Sequence, residues 1–243
     1  MNRIMFVIIF LTLAQVTTAA VRHTVGIARD ADDNSIRYVE HHQYSENGDH
    51  AVRYFDPARN VLLEKEMAYT GLPQHPSILQ RDYVRDMEIN LRYDADQAVM
   101  VTSKDGGSEK FTFDVTPDII VDAGFNAYIR ENWESFSEQP KQSVTFAIAG
   151  QSRLLAMNIE RQAISADGAS FVVKPANWLV RMLLPEIQLN YDRERQLARY
   201  EGFTNLKAKS GKSRNVVIEF SHYELERTLE EPLPQWVREI AGE

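Results

Sequence analysis

Cysteine is absent from all 243 residues of the chain. Without thiols the protein forms no disulfide, has no cysteine nucleophile, offers no thiolate to a metal ion, and cannot be lipidated at a cleavage-site cysteine. Its fold must therefore be held by packing and hydrogen bonding. Roughly 220 residues are enough to form one sizeable core in this way.

Positive charge is in deficit, with 27 Lys and Arg against 35 Asp and Glu and a formal net charge of −8. The basic residues are scattered except in one solvated loop at 207–214 (KAKSGKSR). Binding to a phosphate backbone needs a concentrated positive surface. We therefore expect no nucleic acid partner.

Long hydrophobic runs are also missing, apart from residues 4–14 (IMFVIIFLTLA). A membrane-spanning helix needs about 20 apolar residues, which this run does not reach. Arg3 precedes the run and small residues follow it at 17–20, as in a secretory signal peptide. We expect cleavage near Ala20, a periplasmic or secreted location, and no integral membrane span after cleavage; an uncleaved anchor is the alternative.

Beyond position 20, most of the chain alternates apolar and polar residues with period two, which is typical of antiparallel strands. The dipeptide at 47–48 (Asn-Gly) favours positive φ and is the strongest hairpin indication. The predicted strands are 38–46, 50–56, 62–69, 78–86, 88–93, 98–103, 110–115, 144–148, 155–159, 170–174, 187–191, 197–200 and 216–220.

The period becomes helical after Thr116, which can act as the N-cap, with Pro117 at the first helical position. Apolar residues then recur about every four positions, and this predicts one amphipathic helix over 116–136 packed on the sheet. The apolar positions are Val121, Phe125, Ile129, Trp133 and Phe136. Short helices are predicted at 177–184 and 234–240.

Together these elements predict a mainly β (α+β) fold: a curved antiparallel sheet or half-open barrel with one central amphipathic helix. A lipocalin-like closed barrel is the near alternative. No proline-rich or serine-rich linker interrupts residues 21–243. We therefore expect a signal peptide at 1–20 and a single β-rich domain at 21–243 with a short C-terminal helix.

Three histidines lie on the predicted hairpin, at His41, His42 and His50. A two-residue turn at 47–48 would place His50 opposite Ser45, and adjacent strand residues point to opposite faces of the sheet. Because zinc requires ligands about 2 Å from one point, this arrangement predicts no metal site.

Other catalytic patterns are incomplete. Residues 150–154 (GQSRL) lack the closing glycine of a hydrolase nucleophile elbow. Glu131, Glu134 and Glu138 fit the solvated face of the predicted helix. The chain has no glycine-rich phosphate loop and no dinucleotide fingerprint. The sequence therefore predicts no enzymatic activity and no cofactor, and a hydrolase ranks third among the functional hypotheses.

Large apolar residues near the ends of elements remain as candidates for ligand binding. Such residues usually complete a core, but they can also line a groove between a curved sheet and its helices, where lipids and acyl chains bind. We expect an exported binding protein for a lipid, acyl chain or hydrophobic segment; the alternative is a structural or interaction protein of the cell envelope. The apolar residues are Trp133, Phe136, Trp178, Met182, Leu183 and Trp236, and the ligand-binding candidates are Trp133, Phe136, Trp178 and Met182.

Residues 121–125 (VDAGF) and 131–133 (ENW), followed by the strand at 144–148, resemble exported bacterial proteins of unknown function. The stretches 189–192 (LNYD) and 199–205 (RYEGFTN) belong to the same resemblance, which implies no chemistry. In architecture, a curved antiparallel sheet with one embedded helix is similar to the bacterial lipoprotein-localisation carrier and its receptor, which are periplasmic half-barrels. No binding residue is implied by that second resemblance.

Overall fold

The computed structural model describes residues 21–46, 48–182, 184–204, 206 and 215–225. Within these residues the chain forms 15 strands and three short helices. The elements are β1 Val21–Asp30, β2 Ile36–Tyr44, β3 His50–Phe55, β4 Val61–Ala68, β5 Ser77–Asp82, β6 Met87–Asp94, β7 Gln97–Lys104, β8 Gly107–Asp114, β9 Ile119–Val121, α1 Gly124–Glu131, α2 Ser135–Glu138, β10 Lys141–Ala147, β11 Leu154–Ser165, β12 Gly168–Pro175, α3 Trp178–Arg181, β13 Ile187–Asp192, β14 Leu197–Phe203 and β15 Asn215–Leu225.

All the strands belong to one curved, unclosed sheet in the order β8-β7-β6-β5-β4-β3-β2-β1-β15-β14-β13-β12-β11-β10-β9. Neighbouring strands are antiparallel except β9 and β10, which are parallel. The chain thus builds two antiparallel meanders and joins them by pairing β1 with β15. This confirms the predicted curved, mainly β fold, in the open form and not as a closed barrel.

The sheet coils so that one end packs on the other. Ile119, Val121 and Ala147 from β9 and β10 share a hydrophobic cluster with residues of β3 to β8. Hydrogen bonds reinforce the overlap, because the Val121 N–H donates to the Gln74 carbonyl at 3.0 Å. His75 Nε2 also lies 2.8 Å from the Ile119 carbonyl oxygen. This overlap leaves a partly open space between the two meanders.

The central helix begins later than the sequence predicts. Residues 119–121 form β9, which pairs in parallel with 145–147, so the predicted N-cap Thr116 precedes a strand. The run Ile-Ile-Val is β-branched and buried on both faces, which favours a strand over a helix. The prediction of a helix over 116–136 is therefore wrong in its first part, and the remainder divides into α1 and α2.

The aromatic stripe of that predicted helix does face the sheet. Ile129 and Phe136 are fully buried, and the Trp133 ring centroid lies 5.6 Å from Phe171 and 5.7 Å from Tyr191. These edge-to-face contacts fix the helical segment on β12 and β13. The main aromatic part of the core therefore lies between the helices and β10 to β14.

The β2–β3 hairpin has a different register from the one predicted. Its connection is a longer loop in which the Ser45 N–H donates to the Asp49 carbonyl at 2.9 Å, and Gly48 has φ 88°. His50 therefore pairs with Tyr44 instead of Ser45. Because a slip of one residue reverses the faces of a strand, His50 moves to the face that carries His42.

The short helix predicted at 177–184 is α3, and the Asn177 side chain caps it by accepting the Leu179 N–H at 2.9 Å. No helix in the described part of the chain is both long and apolar enough to cross a bilayer. Several predicted features fall outside the described residues: the signal peptide at 1–20, Asn47, Leu183, the basic loop at 207–214, Trp236 and the helix at 234–240.

Candidate ligand-binding site

The coiled sheet surrounds a partly open cavity of about 960 Å³. Both ends of β14 line it, at Leu197 and at Phe203, so the cavity extends along that strand. Six steps of about 3.3 Å give it a length of about 20 Å. This is the size range in which proteins bind small molecules.

The cavity has two chemically different walls. The wall formed by β1 to β4, named here the polar wall, presents Thr24, Tyr38, Glu40, His42, His50 and Lys65. The opposite wall, named the apolar wall, comes from β10 to β13 and their connections. It presents Phe146, Ile148, Leu155, Met157, Leu184 and Ile187. A molecule with one polar side or end therefore matches the cavity better than a wholly apolar one.

A hydrogen-bonded chain of three side chains lies on the polar wall. Glu40 Oε2 is 2.9 Å from His42 Nε2, and His42 Nδ1 is 2.9 Å from His50 Nε2. Because an ionised carboxylate only accepts, His42 donates from Nε2. His42 Nδ1 and His50 Nε2 share the next hydrogen of this chain, and the tautomers of the two rings decide which of them donates it. Burial and the neighbouring His42 and Lys65 hold the pKa of His50 well below its usual range, which favours the neutral form of the His50 ring.

A buried ion pair connects the polar wall to the segment between β9 and α1. Lys65 Nζ lies 2.9 Å from Asp122 Oδ1, and each side chain is only 3% exposed. Asp122 Oδ2 also accepts the Ala149 N–H at 3.3 Å. The ion pair therefore holds β4 against the coiled-in end of the sheet.

Hydroxyl groups complete the polar wall. The Thr24 hydroxyl lies 2.8 Å from His222 Nδ1, and His222 Nε2 donates to the Leu197 carbonyl at 3.0 Å. Burial raises the pKa of Tyr38 and of Tyr54, and the charge of Glu40 adds to the effect. Both phenols are therefore neutral hydrogen-bonding groups.

Two arginines stand at the end of the cavity near Tyr44, and we name this the cationic end. Arg22 lies over the Tyr44 ring, with its guanidinium carbon 5.5 Å from the ring centroid. Within the described ranges, neither Arg22 nor Arg130 makes an ion pair with a carboxylate. Asn126 Oδ1, also on the lining, is buried without a hydrogen-bond partner in that part of the chain. The cationic end thus offers two arginines and one acceptor. The cavity lining also carries Glu131 beside Arg130, and Glu194 and Arg195, each of which is in an ion pair.

The four residues singled out from the sequence lie outside this cavity lining. Trp133 and Phe136 are 7% and 0% exposed and belong to the core between the helices and the sheet. Trp178 and Met182 are 66% and 74% exposed on and beside α3. Sequence reasoning missed the polar wall, for which the only available indication was the alternating row of residues 38, 40, 42 and 44 on β2. The described residues contain no cluster of three or more His, Asp or Glu side chains suited to a metal ion.

No protein-family model matches the chain, and neither does any curated protein. A similar solved structure is the crystal structure of a β-barrel-like protein of domain of unknown function DUF1849 from Brucella abortus. It has a TM-score of 0.49 and 10% identity, and the match covers 86% of this chain and 99% of that one. A similarity at this level assigns no function, and it gives no support to the likeness with lipoprotein-localisation carriers.

Proposed function

We propose that this chain is an exported periplasmic or secreted protein that binds one amphipathic small molecule, such as a lipid or an acyl chain with a polar head. The observation that supports this most directly is the division of one cavity of about 960 Å³ into a polar and an apolar wall. A cavity that only completed a core would have no reason to place hydrogen-bonded polar groups on one side.

The apolar wall supplies the binding energy in this proposal. Each buried methylene contributes about 0.8 kcal/mol, so an acyl chain of about ten methylenes gains about 8 kcal/mol before ordering costs. That gain corresponds to roughly micromolar affinity. The cavity length of about 20 Å accommodates such a chain in an extended form.

The cationic end supplies selectivity for the head. Arg22 and Arg130 suit a carboxylate or phosphate group, to which guanidinium groups donate paired hydrogen bonds. Asn126 Oδ1 favours a head that also carries a donor. Glu40 lies on the polar wall nearer the middle of β2, and its negative charge favours an anionic head near Arg22 instead.

Binding is tested by native mass spectrometry of protein purified from its own host and by titration with a fluorescent fatty acid. Ala127 lies on α1 and lines the cavity, so Ala127→Trp fills part of the space and is expected to weaken binding at least tenfold. Ala163→Trp, at an exposed position of β11, is the matched control and should bind as the unchanged protein does. Empty protein that also fails to bind the fatty acid would contradict the proposal.

A further inference from the structure

Exposed apolar side chains concentrate in one connection of the fold. Trp178, Leu179 and Met182 are 66%, 54% and 74% exposed, all within five residues between β12 and β13. Other exposed large apolar residues, such as Tyr83 and Ile164, lie at separate sites. A contiguous apolar group that projects into solvent indicates a contact surface.

The connection holds these side chains outward in an ordered way. Asn177 caps α3 by accepting the Leu179 N–H at 2.9 Å. Arg181 Nε donates to the Pro175 carbonyl at 2.6 Å, and another guanidinium nitrogen donates to the Ala176 carbonyl at 3.2 Å. The display of the apolar side chains is thus part of the folded structure.

The charge of this connection differs from that of the whole protein. Residues 175–182 (PANWLVRM) contain Arg181 as their only charged residue, and Glu186 is the next one before β13, whereas the chain has 35 acidic residues and a net charge of −8. An anionic surface would repel most of this protein but not this segment. Tryptophan, leucine and methionine beside one arginine suit the boundary between lipid headgroups and acyl chains.

The connection also borders the cavity. Leu184, near the end of the connection, and Ile187, the first residue of β13, line the apolar wall. Ile187 packs on Gly202, which is next to Phe203. Phe203 marks the end of the cavity opposite Leu197 and the cationic end. The exposed apolar group is therefore continuous with the apolar end of the cavity.

We infer that residues 175–182 form a membrane-docking lip, which inserts Trp178, Leu179 and Met182 into the surface of a lipid bilayer and presents the apolar end of the cavity to it. The role of the cavity in this inference rests on the proposed function; the docking itself does not. An amphiphile would enter head first from the bilayer surface and move along the apolar wall until its head reaches Arg22 and Arg130.

The test is flotation of the protein, as recovered from the exporting host, with vesicles of phosphatidylcholine and phosphatidylglycerol. The double variant Trp178→Ser/Met182→Ser is expected to lower the bound fraction at least tenfold. Ile164→Ser, at a 49% exposed position of β11 near the hairpin turn that leads into β12, is the matched control and should bind vesicles normally. Failure of the unchanged protein to bind vesicles, or equal binding by the double variant, would overturn the inference. If the lip docks a protein and not a bilayer, the unchanged protein will not bind vesicles, so that case also overturns it.

The docking and the ligand site are distinguished with one further pair of measurements. The lip variant should retain its affinity for the fluorescent fatty acid in solution, whereas Ala127→Trp should lose that affinity and still float with vesicles. Loss of fatty-acid binding alone in Ala127→Trp supports two separable sites. Parallel loss of both activities in either variant would overturn the separate lip.

Discussion

The buried ion pair between Lys65 and Asp122 permits a direct test of the electrostatics of the cavity. The two charged atoms are 2.9 Å apart and both side chains are 3% exposed. Lys65→Met retains most of the apolar stem but removes the ammonium group that balances the Asp122 carboxylate. Removing one partner of a buried ion pair costs about 3–5 kcal/mol in the free energy of unfolding.

The second half of the test removes the negative charge as well. Asp122 has φ 47°, a left-handed conformation that asparagine tolerates better than most residues. In Lys65→Met/Asp122→Asn the amide oxygen can still accept the Ala149 N–H, and no uncompensated charge stays buried. We expect the double variant to lie within about 1 kcal/mol of the unchanged protein, because a buried ion pair is often replaceable when both charges go.

Urea unfolding followed by circular dichroism provides the free energies of unfolding of the unchanged protein, the single variant and the double variant. The surface pair of Arg81 and Glu88, 47% and 50% exposed, supplies the control, and Arg81→Met should change stability by less than about 1 kcal/mol. If Lys65→Met also costs less than about 1 kcal/mol with an unchanged m value, the pair is hydrated. The description of Lys65 and Asp122 as an ion pair buried away from water would then be refuted.

Two further predictions concern stability. Burial lowers the pKa of His41 to about 3 and that of His50 well below its usual range, so the folded state resists protonation. The contribution of both histidines to stability should be fully present above the unfolded pKa of about 6.5 and be lost as the pH falls below it, by about 2 kcal/mol for His41 at pH 5. His50→Gln should make urea-derived stability less dependent on pH. Gly168 has φ 140°, and a Cβ there would overlap the Tyr191 carbonyl, so Gly168→Ala should lower the free energy of unfolding by more than about 2 kcal/mol. Gly71 has open space around it, so the control Gly71→Ala should lower it by less than about 0.5 kcal/mol in the same assay.

The strands could be predicted from the sequence because their physical causes are local. Alternation of apolar and polar residues and the turn residues between the runs act within a few positions of each other. The end of β5 shows the limit, since the predicted strand 78–86 ends at Asp82. There the carboxylate accepts the N–H groups of Val84 and Arg85 at 3.0 and 2.9 Å and starts a turn. Aspartate favours such turns through its own side chain, but the alternation alone does not reveal which aspartate does so.

The start of the central helix could not be predicted, because its cause is a distant pairing. Residues 119–121 fit the helical spacing as well as the strand spacing, and only their pairing with 145–147 makes them a strand. A short apolar run is ambiguous between the two structures when periodicity is the only criterion. Tertiary packing decides the outcome, and the packing partners are remote in the sequence.

The polar wall was hidden by the hairpin between β2 and β3. The alternation on each strand was recognisable from the sequence. The loop at 45–49, however, decides which residues of β2 and β3 share a face of the sheet. Compared with a two-residue turn, this five-residue loop places the side chains of β3 on the opposite faces. With the shorter turn His42 and His50 would lie on opposite faces. The observed loop brings His42 Nδ1 and His50 Nε2 to 2.9 Å and creates the chain that begins at Glu40.

Burial along β2 shows why no reading of that strand alone could separate the cavity face from the other face. Val39 and His41 on one face are 2% and 3% exposed, and Glu40 on the opposite face is 6% exposed. A strand covered on both sides loses the contrast that marks an interior. The coil that places β10 to β13 opposite β1 to β4 is what turns the row of Glu40 and His42 into the wall of a cavity. Burying polar groups costs stability unless each group is hydrogen-bonded. Here Glu40 is hydrogen-bonded to His42, and Lys65 is hydrogen-bonded to the carboxylate of Asp122. A satisfied polar wall opposite an apolar one is an arrangement that packing does not require, and the proposed binding of an amphiphile would give it a physical reason.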